Sequence, residues 1–281
     1  IQLQNLEHYL NIARGTMADV ARLLRRLQGD RAHRQSDVAV TGLKRAMEQL
    51  LDPVTVLKGL VGDQTATMGQ TRALSEIRGR SQQLPVGAAA GKDAGAAAAA
   101  PVWLTQAWLG EQQKDLQPRL GELVARLQAG VEGASKEPAA GSPGPDGKPA
   151  DPQKEAERRR VLEAAKQAIP ILHEATAAMA AAVTALSSTG GGDPFATALR
   201  SQGAATAAML RALERFSGLR DLIELAHGEQ AQMVSLLSPE AKAALGKLSE
   251  AERGALLSDA VTGGAARNVE RLGRLKTLFA E

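Results

Sequence analysis

Apolar residues in the first part of the chain recur at alternating spacings of three and four. Leu3, Leu6, Leu10, Ala13, Met17, Val20, Leu24 and Leu27 keep this rhythm unbroken, and the pattern ends at Gly29-Asp30. Such heptad spacing predicts a helix whose apolar stripe is buried against a partner helix, in this chain or another. A second seam follows through Val40, Leu43, Met47, Leu50, Val54, Leu57 and Val61. Ser36 or Asp37 is expected as its N-cap. Pro53 removes a backbone N–H and crowds the preceding turn, so a kink or break is expected at Asp52. A weaker stretch with Met68, Leu74 and Ile77 extends helix to about Leu84.

Another helix is expected from Trp103, Trp108, Leu109, Leu116, Leu120, Leu123 and Leu127, interrupted at Pro118. The strictest later seam is Leu162, Ala165, Ile169, Leu172, Thr176, Met179, Val183 and Leu186, with a kink expected at Pro170. Its second half is almost uncharged. Lys166, His173 and Glu174 interrupt the apolar run, and a span needs about 20 apolar residues. A buried central helix is therefore expected. Asp193-Pro194 reads as an N-cap with proline at the first helical position. Helices are then expected over about 194–217, 219–237, 239–261 and 263–280. Ser238-Pro239 would start one of them, and the capping-box spacing Ser249…Glu252 another. No segment shows the alternation of a strand.

Two stretches lack any such rhythm. Residues 85–101 combine an alanine run with Gly87, Gly91 and Gly95, and residues 129–153 are rich in Pro, Gly, Ser and Lys. Both read as low-complexity linkers, because such compositions bury too little apolar surface to offset their ordering entropy. The expected organisation is an N-terminal helical cluster 1–128 containing the linker 85–101. The linker 129–153 and a C-terminal cluster 154–281 follow. The fold class is all-α, a multi-helix bundle with long, coiled-coil-like helices.

Composition sharpens this picture. Of the 281 residues, 44% are hydrophobic but only 2% aromatic, so Ala, Leu and Val supply the apolar content, which suits helix packing over strands. The absence of cysteine excludes disulfides, thiolate nucleophiles and Cys-ligated metals. Abundant Ala and Arg suggest a GC-rich bacterial source. The net charge of +3 is small for a polyanion binder, and no nucleic-acid partner is expected. The excess maps to the first helix and its exit, where Arg14, Arg22, Arg25, Arg26, Arg31 and Arg34 face Glu7, Asp19 and Asp30. That patch reads as a solvated face. The run Arg158-Arg159-Arg160 is neutralised by Glu155, Glu157 and Glu163 at helical spacing. The chain opens inside an amphipathic pattern without Met, which reads as a segment of a longer protein whose membrane anchors would lie elsewhere.

Candidate chemistry is sparse. Glu224 and His227 have the Glu-x-x-His spacing used in di-metal bundles, but those sites need two such motifs plus two further Glu. His173-Glu174 lacks the second His of a zinc-protease helix. His8 lies beside Glu7 and Tyr9, and His33 in a basic turn, without site geometry. There is no Gly-x-Ser-x-Gly, and Gly91-Lys92 is followed by Asp93 rather than the Ser/Thr of a phosphate loop. Trp103 and Trp108 read as a plug at one end of a bundle, or as interface anchors. No catalytic, cofactor or metal residues are therefore assigned. The functional expectation is a non-enzymatic scaffold or protein-interaction segment of a larger bacterial, envelope-associated protein. It would act through protein partners or self-association along its seams. A ligand-sensing bundle that transmits a signal is the alternative, and a metal-dependent bundle enzyme is third.

Overall fold

The computed structural model describes residues 2–83, 101, 103–136, 152–188, 193–238 and 250–280. Among them every regular element is an α-helix: α1 (Gln2–Arg25), α2 (Gly29–Glu48), α3 (Pro53–Gln83), α4 (Gln106–Lys136), α5 (Pro152–Ser187), α6 (Pro194–Glu214), α7 (Leu219–Leu236) and α8 (Glu250–Ala280). The chain divides into two compact units, residues 1–215 and 216–281. This differs from the expected clusters 1–128 and 154–281, because α5 and α6 pack on α3 and α4 and join the first unit.

The first unit is centred on α3 to α6. α5 packs on α4 and α6, and α3 packs on the same two helices. Of the α5 seam, Ala165, Leu172, Met179 and Leu186 are buried, while Leu162, Ile169, Thr176 and Val183 are half-buried; the buried face is completed by Ala168, Ala175 and Ala182. By length and mean hydropathy alone α5 could cross a bilayer. In the structure its apolar stripe lies against helices of the same unit. One end of this core is closed by Leu74, Leu104, Leu109, Ala185, Leu186, Phe195 and Ala198, with Trp108 packed against them.

The expected interruption at Pro118 is absent, since α4 runs through it, and α5, with a kink expected at Pro170, is continuous there. Each proline is exposed, and the carbonyls it deprives of a partner belong to Lys114 and Lys166, which are exposed too. Water can therefore satisfy groups that would be costly to strand in a core. α4 also continues to Lys136, so the first residues of the expected linker 129–153 are helical; residues 137–151 lie outside the described residues, as do 84–100. α8 continues through Gly263-Gly264, where a break was expected. A Cβ on Gly264 would come within 2.7 Å of Met233 Sδ on α7, so this glycine serves close helix approach. Ser249 and the start expected at Pro239 lie outside the described residues.

Other boundaries follow capping chemistry. The break before Pro53 is present: α2 ends at Glu48, and Asp52 Oδ1 accepts from Val54 N and Thr55 N at 3.0 Å each. Asp193 caps α6 by accepting from Phe195 N at 2.9 Å. α2 begins at Gly29, seven residues before the expected cap at Ser36, and Gln28 gives it no side-chain cap. α1 ends early at Arg25 because the chain turns at Leu27, whose φ is 56°. Gln28 N then bonds Leu23 O at 3.0 Å, the 6→1 bond of a Schellman turn. A leucine in this conformation costs about 1–2 kcal/mol. Its side chain is 93% exposed and gains no packing in return. Leu27→Gly should therefore stabilise the protein by about 1 kcal/mol in denaturant unfolding, after allowing for the entropy of the unfolded glycine. A destabilised variant would contradict this cap.

Candidate functional site

The α1–α2 hairpin is where the structure departs most from ordinary burial. The two helices pack backbone to backbone chiefly on each other, and they meet through small residues. Ala13, Ala32, Ala39, Gly42 and Ala46 are buried, and a Cβ on Gly42 would touch Ala13 and the Tyr9 carbonyl at 3.4 Å. Most of the large apolar seam residues carried by α1 and the α2 end of the hairpin remain in water, whereas Leu57 of the second seam is buried in α3. Leu3, Leu10, Met17 and Leu24 on the first, and Val40, Leu43, Met47 and Leu50 on the second, are all exposed. Of the first seam only Ala13 is buried, with Leu6 and Val20 half-buried.

These exposed residues share one side. Positions rotate by about 100° per residue. Leu3, Leu10 and Met17 therefore flank the α1–α2 contact on the same side as Val40, Leu43 and Met47. Tyr9, Arg45, Glu48 and Gln49 fall on the other side, toward α4. The hairpin therefore has an apolar outer face and a polar inner one.

The inner face is fastened by α4 and α3. Arg119 of α4, itself buried, donates from Nε to both Glu48 carboxylate oxygens at 3.0 and 3.2 Å, and Nη2 also bonds Glu48. Its Nη1 donates to Asp63 of α3 at 2.8 Å, and Lys44 Nζ donates to the same carboxylate at 2.7 Å. Two carboxylates and two cations thus balance across three helices. Burial alone would raise the Asp63 carboxyl, but the hydrogen bonds from Lys44 and Arg119 outweigh it and hold the group below its ordinary range. Its stabilising contribution is therefore present above the ordinary carboxylate value and is lost as pH falls through the lowered one. Arg126 completes the clamp by donating to the Glu48 and Leu51 carbonyls at 2.7 and 2.8 Å, covering the orphan end of α2.

A second polar constellation lies inside the core. Gln64 of α3 and Gln113 of α4 exchange reciprocal amide bonds at 3.0 and 2.9 Å. Gln202 of α6 donates to Gln113 Oε1 at 3.0 Å and Thr71 Oγ1 at 3.1 Å. All four side chains are fully buried. Their groups are neutral and bonded to one another, which fixes helix register and offers no nucleophile or general base.

The residues weighed from sequence are not brought together. His8, His33, His173 and His227 are all exposed. Glu224 is held by Arg220 at 2.9 Å rather than aimed at His227. Among the described residues no group of three or more His, Asp or Glu could hold a metal. Arg22 pairs with Asp19 on the solvated first-helix face, and Arg159 with Glu155. In the second unit Glu229 of α7 is bonded by Arg267 and Arg271 of α8, a pairing that joins the two helices. Trp108 does act as the expected plug, while Trp103 stands half outside it. Sequence reasoning missed Glu48, Arg119 and the buried glutamines. For the glutamines there was a signal: Gln64, Gln113 and Gln202 each occupy a position that three-four spacing assigns to the core.

Comparisons with protein-family models, curated proteins and solved structures found no match for this chain.

Tyr9 gives a direct probe of the inner face. Its hydroxyl donates to Glu122 at 2.6 Å, and the Arg45 guanidinium sits over its ring at 5.3 Å. Burial, reinforced by that bond to a carboxylate, pushes the phenol up to about 12. A raised folded value means that this contribution is complete below the unfolded pKa and is lost as pH rises through the folded one. Tyr9 is the one tyrosine in the chain. Ultraviolet titration should therefore show little phenolate at pH ~11 in the native protein, and a midpoint near ~10 in denaturant. Coincident titrations would mean that the hairpin is not held against α4.

Proposed function

We propose that this chain is a non-enzymatic helical interaction module that self-associates through the outer face of the α1–α2 hairpin. The carrying observation is the exposure of six large apolar side chains, Leu3, Leu10, Met17, Val40, Leu43 and Met47, on one hairpin side, with the charged Glu7 and Arg14 at its outer edge. At roughly 100 Å² per side chain they present on the order of 600 Å², and Leu24 and Leu50 are exposed at the ends of the hairpin beside them. The largest apolar patch of a typical monomer is about 300–600 Å². Each partner in a standard interface contributes about 800 Å².

The spacing favours a second copy as the occupant. Leu3, Leu10, Met17 and Leu24 repeat every seven residues, as do Val40 with Met47 and Leu43 with Leu50. Two such hairpins facing each other across a twofold axis form a four-helix layer whose rows interdigitate in coiled-coil fashion. The polar inner contacts leave this face free to dock, since they need none of its side chains. The abundance of Ala and Arg supports a GC-rich bacterial source, and the neutral core glutamines are consistent with a structural interior.

Sedimentation of the full chain tests this reading. The wild type should be dimeric at micromolar concentration. Leu10→Glu/Met47→Glu should be monomeric, with folding stability within about 0.5 kcal/mol, as for exposed positions. Val234→Glu, on an exposed site in α7, should leave the dimer intact. A wild type that stays monomeric at hundreds of micromolar would refute self-association, as would a dimer indifferent to the double substitution.

A further inference from the structure

A cleft of about 760 Å³ opens between the first half of α2 and the start of α4, away from the hairpin's outer face. Its volume lies in the range of small-molecule sites, about 300–1,000 Å³. Aromatic rings form one wall. Trp103 stands edge-on to Trp108 with centroids 4.9 Å apart and planes at 69°, and His33 meets Trp103 in a second edge contact at 5.9 Å. Trp103 precedes α4 in a turn closed by Leu104 N to Pro101 O at 2.9 Å, and Thr105 caps the helix by accepting from Trp108 N at 3.1 Å. Trp108 is fixed from behind by the core and by its Nε1 donating to Asp37 at 3.2 Å. Trp103 is 41% exposed. A large indole is thus held in place by its neighbours with much of its surface uncovered.

The rest of the lining mixes the neutral Val38, Thr105, Ala107 and Gln112 with an excess of carboxylates. Asp30, Asp37, Glu111 and Asp115 line the cleft against one guanidinium, Arg34. Acidic residues near helix starts often just balance the helix dipole, whose influence fades within the first turn. That accounts for Asp30, in the first turn of α2. It does not account for Asp37 or Asp115, which lie more than two turns inside α2 and α4. Asp115 is half-buried and makes no hydrogen bond or ion pair to another described residue. Its carboxyl is raised above its ordinary range, chiefly by burial, with Glu111 adding to the shift and Arg45, Lys114 and Arg119 opposing it in part. A cation bound in the cleft would favour its ionised form further.

We infer that this cleft is a binding site for an alkylated ammonium cation, seated on the Trp103 and Trp108 rings and neutralised by the carboxylates around them. Indole is the aromatic surface that binds cations best, and a methylated ammonium sheds water readily enough to lie on it. A strongly hydrated metal ion would gain little from such a wall. The site is independent of the docking face, so either assignment can fail without the other.

Trp103 and Trp108 are the two tryptophans of the chain, so intrinsic fluorescence reports on this cleft alone. Choline should change that emission saturably, while its neutral isostere 3,3-dimethylbutan-1-ol should not. Trp103→Leu should weaken choline binding by about 2- to 30-fold, the range a cation–π contact supplies, with Trp108 still reporting. Asp115→Asn should weaken it as well, and unchanged thermal melts would show that both variants fold. A trimethyllysine peptide that binds more tightly than choline would identify a modified protein as the source of the cation. Choline binding as tightly or more tightly would identify a free metabolite. Equal responses to choline and the isostere, spermidine binding without choline binding, or no saturable change at tens of millimolar choline would each overturn the assignment.

Discussion

The placement of the hairpin depends on one buried guanidinium. Arg119 stands at 5% exposure between Glu48 on α2 and Asp63 on α3, and its charge is desolvated and shared between them. Such an arrangement adds little net stability over an apolar replacement, because desolvation offsets most of the attraction. Its consequence is geometric. Any rotation of α2 that turned Met47 and Val40 inward would pull Glu48 and Lys44 away and leave the buried Arg119 with Asp63 as its remaining partner, a costly loss for a desolvated charge. The Arg126 bonds to the end of α2 and the Tyr9–Glu122 bond oppose the same rotation. The polar clamp therefore selects which side of the hairpin faces water, and it selects the apolar one.

The same principle appears in the core. Gln64 and Gln113 pair, and Gln202 donates to Gln113 and Thr71, only when α3, α4 and α6 stand in one register. A slip along any helix would strand buried amides at about 1–3 kcal/mol each. Alanine-rich seams such as that of α5 carry little shape information, because small side chains pack acceptably at several offsets. The amides supply what the alanines lack. The first unit is thus apolar in bulk and specified by a few polar groups.

Much of this was legible in the sequence, for reasons that differ by element. The α5 helix could be read from its periodicity, although its buried face is turned from the expected seam: Ala168, Ala175 and Ala182 take the places of the half-buried Leu162, Ile169, Thr176 and Val183. The break at Pro53 and the Asp193 cap were legible because each depends on local chemistry alone. Pro118 misled, because a proline on a solvated face loses one hydrogen bond without breaking the helix. Gly263-Gly264 misled in the same way, being read as a break when Gly264 makes room for Met233. The α1 and α2 seams were visible as patterns, but periodicity does not say which partner covers them. Of the cleft, the tryptophans were noticed. Its walls come from α2 and α4, about 70 residues apart in sequence, and their convergence is tertiary information. Arg119 carried no local signal at all.

The most direct test of the account exploits the absence of cysteine, which allows single thiols to be placed at will. Neighbouring positions 46 and 47 lie on opposite sides of the account: Ala46 is buried in the hairpin contact, and Met47 is on its outer face. In dilute solution Met47→Cys should react with a thiol reagent at nearly the rate of a free peptide thiol, and Ala46→Cys far more slowly. Raising the protein concentration should protect Met47→Cys and leave Ala46→Cys unchanged. A Met47→Cys thiol that is protected at every concentration would show that the hairpin turns this face inward, and one that is never protected would show that no second copy covers it.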